Sequence, residues 1–182
     1  MKAATFTITE NTGFCNALRR TLLSDIQTWA PKELLVRVNM SCQTDEFIAH
    51  RIGMIPFEKV GEGDKISLSA MGPRKVLTKD FEGIAFRPIY DNIEVIVLDK
   101  DQRIDLTVIF DKQCASKHAR YSPCAAVGTT RTNEGHHKLS FESIDSQTPT
   151  ELLLCALDHL DERIDKALHA MAQPSPVPKS MC

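Results

Sequence analysis

The side chains with the widest chemical reach in this chain are its cysteines and histidines, and five of them share one stretch: Cys114, His118, Cys124, His136 and His137. His118 and Cys124 follow Cys114 at steps of four and ten residues, a spacing that no standard zinc pattern requires, and C-x-x-C occurs nowhere. A cysteine hydrolase would need a thiolate activated by a positioned histidine, and nothing around Cys114 or Cys124 carries a nucleophile signature. A small cysteine- and histidine-dependent enzyme or metal-binding protein is therefore the alternative reading. Gly61-Glu62-Gly63-Asp64 lacks both the lysine and the strand-to-helix setting of a phosphate loop and reads as a turn. The pair Asp45-Glu46 fits the charge preference of a helix N-terminus and needs no acid-base role. The expectation is no catalytic residue, no cofactor and no metal ligand.

What stands out instead is a pair of adjacent arginines, Arg19 and Arg20, on the amphipathic segment Asn16-Ala17-Leu18-Arg19-Arg20-Thr21-Leu22. Phe14, Leu18, Leu22 and Ile26 recur at four-residue steps with Thr12 as the expected cap, so one helical face is apolar. Both arginines cannot point into that face. On these residues alone the segment reads as an ordinary surface helix with two solvated arginines, and the later segments change that reading.

The elements that must position these residues follow from periodicity. Residues 3–9 alternate with threonines as a strand that leads into the arginine helix. Pro31 closes the region after that helix, with Trp29 packing at the helix end, and 34–42 alternate cleanly as a half-buried strand. A short helix at 44–53 is punctuated by Thr44 as cap, acids in its first turn, Arg51 in its last and Gly53 as the terminating residue. Pro56 then holds the exit extended. From about 58 to 136 come short β-like runs at 65–70, 93–98, 103–110 and 124–129, with 93–98 and 104–110 expected to form a hairpin across Asp99-Lys100-Asp101-Gln102.

Strict alternation returns at 138–144, with Leu139 and Phe141 on one face. Thr148-Pro149-Thr150-Glu151 then opens a long helix with a capping box and proline at the first helical position. Along it Leu153, Leu157, Leu160, Ile164, Ala167 and Met171 make a stripe about 35 Å long, more apolar surface than a small sheet can cover. The residues after 172 hold three prolines and little to pack, and a loose tail is expected there.

The chain has 42% apolar and 25% charged residues, a balance that places it among globular proteins with a real core. A net charge of -2 argues against a protein that grips nucleic acid mainly through phosphate contacts, so any role near DNA should be indirect. The scattered cysteines suit a reducing compartment, and no apolar run is long enough to span a bilayer, so an intracellular protein without a membrane partner is expected.

Taken in order, the segments resemble the α-like subunit family of multisubunit DNA-directed RNA polymerases: bacterial α, archaeal D and the third-largest eukaryotic subunit. Asn16-Ala17-Leu18-Arg19-Arg20 is similar to the family motif N-A-[LI]-R-R. Asp45-Glu46-Phe47-Ile48-Ala49-His50-Arg51-Ile52-Gly53-Met54-Ile55-Pro56 resembles the far more specific D-E-x-[IL]-A-H-R-[IL]-G-[LM]-[IL]-P of the archaeal and eukaryotic branch. His118-Ala119-Arg120-Tyr121-Ser122-Pro123 is similar to that branch's H-A-[KR]-[aromatic]-[SG]-P loop, and the last helix to the family's dimerisation helix.

The resemblance implies an α+β fold with a dimerisation subdomain built from 1–54 and 137–172, interrupted by a β-rich insert at 55–136. It further implies a non-catalytic assembly platform. Its partners would be a small α-like subunit like archaeal L or the eukaryotic eleventh subunit, the second-largest and largest catalytic subunits, and small accessory subunits. The expected interface residues are Leu18, Arg19, Arg20, Leu22, His50, Arg51, His118, Tyr121, Leu153, Leu157, Leu160 and Ile164, with both arginines reaching toward the second-largest subunit. Two departures stand out: the N-terminal strand is short for a family that often has a hairpin there, and the cysteine cluster many relatives carry in the insert is missing. So compact a form suits a streamlined polymerase, including one encoded by a large DNA virus. The site of action would be the nucleus for a cellular eukaryotic source and the cytoplasm for an archaeal or viral one.

Overall fold

The computed structural model of the chain describes residues 2–172, so the tail expected after 172 lies outside the described residues. The architecture is α+β, in the order β1 (Lys2–Ile8), α1 (Thr12–Ser24), β2 (Gln27–Asn39), α2 (Asp45–Gly53), β3 (Phe57–Lys59), β4 (Lys65–Met71), β5 (Arg74–Leu77), β6 (Phe86–Pro88), β7 (Glu94–Leu98), β8 (Arg103–Cys114), β9 (Cys124–Arg131), β10 (His137–Ser143) and α3 (Pro149–Ala172). Two apolar cores organise these elements.

The first core lies under a three-stranded antiparallel sheet ordered β1-β10-β9. In β10 the expected alternation holds: Leu139 and Phe141 are buried with His137 and Ser143, while Lys138 and Ser140 face outward. Phe6 of β1 stacks on Phe141 with ring centroids 5.8 Å apart. Leu18, Leu22 and Ile26 close the core from one side and Leu152 and Ala156 from the other. β9 carries a bulge opposite Phe141 where Ala126 adopts a φ of 52°, a local twist that bends this edge of the sheet. The short N-terminal strand is the other edge and pairs along its whole length with β10.

The second core is a β-rich body of three small sheets, β2-β8-β4, β3-β6 and β5-β7. Ile48 and Ile52 of α2 and Phe57, Phe86 and Phe110 meet in it, the last two stacked with centroids 3.9 Å apart. Thus 27–53 lend their apolar side chains to the β-rich core, while β9, within the expected insert, pairs with β10. A strand goes where its two edges find partners, and neither edge preference shows in periodicity.

Four local expectations are corrected. Asn11, not Thr12, caps α1, its side chain accepting from the Phe14 N–H at 2.9 Å. β2 begins at Gln27 and runs through Pro31, where a bulge absorbs the missing N–H, so Trp29 sits in a strand, edge-on to Phe86 with Lys59 Nζ 4.0 Å above its ring. Gly53 is the last residue of α2, with Met54 as the cap.

The fourth correction is the expected hairpin, which does not form. The turn at Asp99–Gln102 exists, closed by the Gln102 N–H on the Asp99 carbonyl, but β7 pairs with β5 while β8 lies between β2 and β4. β4 and β5 run out as one bent strand, β7 and β8 return beside it, and both bend where Gly72 faces Asp99. A Cβ on Gly72 would sit 2.0 Å from the Asp99 carbonyl oxygen, so only glycine fits there.

The long helix starts as the sequence predicts. Thr148 N–H donates to Glu151 Oε2 at 2.7 Å, and the Glu151 N–H returns to Thr148 Oγ1 at 3.3 Å. The Thr148 hydrogen bonds also hold the Glu151 carboxyl below its ordinary value.

Phe141 anchors the first core against Phe6, so Phe141→Ala should lower unfolding free energy by about 3–5 kcal/mol. Equilibrium urea unfolding checks this, and a loss under about 1 kcal/mol would mean that the sheet packs otherwise.

Candidate subunit interface

α3 changes character along its length. Leu152 and Ala156 are fully buried, and Leu153, Cys155, Leu157 and Leu160 are partly covered by α1 and the sheet. From Asp161 onward every residue to Ala172 is exposed, and Ile164, Leu168 and Met171 stand 55%, 58% and 83% open to solvent. Each such side chain gains about 1.5–3 kcal/mol when fully buried, so this half of the helix carries an unmet hydrophobic drive.

Beside it runs a groove of about 300 Å³ between α1 and α3, lined by Ala17, Arg20, Leu160, Arg163, Ile164 and Ala167. Three of the residues expected at an interface, Arg20, Leu160 and Ile164, therefore meet here. Arg163 crosses the groove to Asp25 at 2.7 Å, a half-exposed pair that sets the angle between the helices more than it stabilises them.

The two arginines part company. Arg20 is exposed in the groove; Arg19, one position round the helix, donates to Asn16 Oδ1 at 2.9 Å and lies half-buried. Its charge pulls against the burial that raises the Cys15 thiol above its ordinary value. Leu18 and Leu22, expected at the interface, are 2% and 0% exposed and belong to the chain's own core. The same four-residue stripe serves a core or an interface, and only the sheet above it decides.

The second and third motifs converge beside β2, where Arg120 of the loop reaches Gly53 of α2. His50 and Arg51 lie exposed on α2, with Arg51 Nε donating to the Glu94 carbonyl at 2.8 Å. A single 3-10 turn, Ala119–Tyr121, is capped by His118, whose Nδ1 accepts from the Arg120 N–H. Tyr121 is buried and donates its hydroxyl to Asp111 at 2.6 Å, while Thr28 Oγ1 donates to the Tyr121 carbonyl at 2.8 Å. These bonds lock the loop onto β2 and β8. Tyr121 is thus a structural pin for the loop, presenting no surface of its own.

Arg120 was not among the expected residues, yet it joins both motifs. Its Nη1 donates to the Pro31 carbonyl at 2.7 Å and its guanidinium lies flat on Gly53, where a Cβ would come within 3.3 Å of Cζ. The sequence signal was the glycine itself, on which the guanidinium rests at the last residue of α2.

The cysteines and histidines do not assemble. Cys114 Sγ contacts Ser116 Oγ, His118 caps the turn, and His137 Nε2 meets Thr12 Oγ1 at 3.2 Å. Cys124 is buried in the first core, where desolvation and then the nearby Asp145 charge push its thiol up to about 12, far from a reactive thiolate. Among the described residues, no three metal-binding side chains stand close enough to hold an ion, and no helix is long and apolar enough to cross a membrane.

A sheet with an uncovered helix beside it defines a pairing module in search of a partner chain. The comparisons agree: residues 6–164 match the family described as the RNA polymerase Rpb3/Rpb11 dimerisation domain. Among curated relatives, DNA-directed RNA polymerase subunit Rpo3 of Methanocaldococcus jannaschii is 31% identical over 126 residues, covering 67% of this chain and 66% of that protein. Its counterpart in Methanopyrus kandleri is 29% identical over 151 residues (70% and 54%). DNA-directed RNA polymerases I and III subunit RPAC1 of Homo sapiens is 28% identical over 156 residues (60% and 45%). The chain belongs to the RNA polymerase Rpb3/Rpb11 dimerisation-domain family, the family of α-like subunits of multisubunit DNA-directed RNA polymerases. It spans between about half and two thirds of the length of these relatives.

Burial and then the hydrogen bond to Asp111 raise the Tyr121 hydroxyl from about 10 to about 12. The neutral phenol is favoured by folding, so its contribution is present below the ordinary value and lost as pH climbs from about 10 to about 12. Tyr121→Phe should unfold more easily at pH 8 and lose less stability than the parent across that window; parallel curves for the two proteins would contradict this.

Proposed function

We propose that this chain is a non-catalytic assembly platform of its polymerase. The open half of α3 and the α1–α3 groove receive a smaller α-like subunit, of the kind represented by archaeal L or the eukaryotic eleventh subunit. The catalytic site lies in other subunits, and contact with nucleic acid is indirect. In this reading the dimerisation unit is built from the two ends of the chain, and the β-rich body between them faces the large subunits.

The observation that carries the reading is the uncovered stripe Ile164, Leu168 and Met171, continuous with half-covered Leu153, Leu157 and Leu160. A stripe that is buried at one end and bare at the other fits the apolar centre of an obligate interface. Arg19, half-buried and outside the groove lining, and His50 and Arg51 on α2 then meet the second-largest and largest subunits, with small accessory subunits nearby. Arg20 serves the pairing groove itself. Recognition by guanidinium forks gives such contacts direction as well as energy.

Ile164 and Leu168 are the substitutions of choice for a test, because Leu157 also supports the chain's own core. Ile164→Asp with Leu168→Asp should leave the circular dichroism and melting temperature of the isolated chain nearly unchanged. Pairing with a co-expressed α-like partner should weaken by about a hundredfold or more, since apolar burial is lost and an unpaired charge must be desolvated. Undiminished co-purification would refute the interface.

Arg19→Ala should leave that pairing intact while reducing capture of the second-largest subunit by about tenfold, measured by quantitative pull-down of reconstituted complexes. Normal capture would remove Arg19 from the docking surface.

A further inference from the structure

Arg120 is fixed but unsaturated. Its backbone N–H and Nε both donate to His118 Nδ1, at 3.1 and 3.2 Å, and Nη1 donates to the Pro31 carbonyl. With its plane pressed against Gly53, the side chain has little freedom left to lose. Its remaining N–H donors have no partner among the described residues, and no carboxylate of those residues pairs with it. A rigid, half-buried guanidinium without a counter-charge is pre-organised for an anion, because the ordering of its side chain has already occurred in the fold.

The surroundings say which kind. Arg120 closes one end of a groove of about 310 Å³ between α2 and β2, floored by Leu34, Ala49, Ile52 and Val108. β2 is the outermost strand of its sheet, and its residues Pro31 to Leu34 line this groove. An apolar floor beside an open strand edge is the setting in which an extended peptide adds to a sheet. Two acids share the lining without pairing with Arg120: Glu33 is paired with Lys32 at 3.2 Å, and Glu46 lies in the first turn of α2, about 10 Å along the helix axis from Gly53.

We infer that Arg120 anchors a second docking groove, which takes an extended segment of another polymerase subunit and sets that segment's Asp or Glu carboxylate on the guanidinium. The inference rests on the assembly role proposed above and adds the chemistry of the contact. Its charge arrangement also orients the segment, with the carboxylate toward the C-terminal end of α2 and apolar side chains on the floor.

The test uses a complex of this chain with its smaller α-like partner and the second-largest subunit, carrying a photo-crosslinking benzoylphenylalanine at Lys32. Crosslinks should map to an extended protein segment containing an Asp or Glu. Arg120→Gln should lower capture of the subunit that supplies the segment by about tenfold, and Arg120→Lys by less, with pairing through α3 held. Exchanging the charges, Arg120→Glu with the mapped acid changed to Arg, should restore capture. Unchanged capture in Arg120→Gln, a crosslink to nucleic acid or to a segment without an acid, or failure of the exchange would overturn the groove while leaving the assembly role standing. Loss of α3 pairing in the parent chain would overturn both, and is read out separately.

Discussion

The structure turns on a mismatch of lengths. A helix of 24 residues measures about 36 Å, whereas a sheet of three strands is about 14 Å wide and its strands of seven or eight residues about 23–26 Å long. Whatever angle α3 takes across the β1-β10-β9 sheet, part of it must overhang. The residues that overhang keep the apolar period of those that do not, so the helix is written as though covered throughout. Its capping box, the Asp25–Arg163 pair and the α1 stripe all act to present that bare half in one orientation.

A second feature gives the fold its division of labour. Both ends of the chain contribute to the first core, so β10 and α3 return to complete a unit begun by β1 and α1. The β-rich core hangs from this unit through the strand β2 and the loop before β9. Arg120, Tyr121 and Gly53 tie the two motif-bearing segments together at that junction, with side chains whose donors, hydroxyl and missing Cβ each have an identifiable neighbour. The molecule thus carries an uncovered apolar stripe on α3 and, beside β2, a hydrogen-bonded arginine with donors to spare.

Much of this was legible in the sequence. The α+β class, both capped helices α2 and α3, and the alternation of β10 all follow from local periodicity and capping chemistry, which tertiary packing did not need to override. Partner choice between strands was not legible: 93–98 and 103–110 flank a good turn, yet β8 is buried through its first half, between Ile104 and Phe110, and has neighbours on both edges, which a simple hairpin cannot supply. The site was readable in part. Arg20, Leu160 and Ile164 do meet in a groove, but Leu18 and Leu22 share their period and went to the core, since periodicity marks an apolar face without saying what covers it. Arg120 escaped notice because its role depends on a contact across 67 residues with a glycine whose spacing suggested a helix stop.

Hydrogen exchange on the isolated chain and on the chain mixed with the smaller α-like partner proposed for it tests the overhang most directly. In the isolated chain, amides of 152–157 should be well protected and those of 161–172 should exchange rapidly; on pairing, protection should spread to the latter segment. Equal protection of both segments in the isolated chain, or no gain on pairing, would contradict the account.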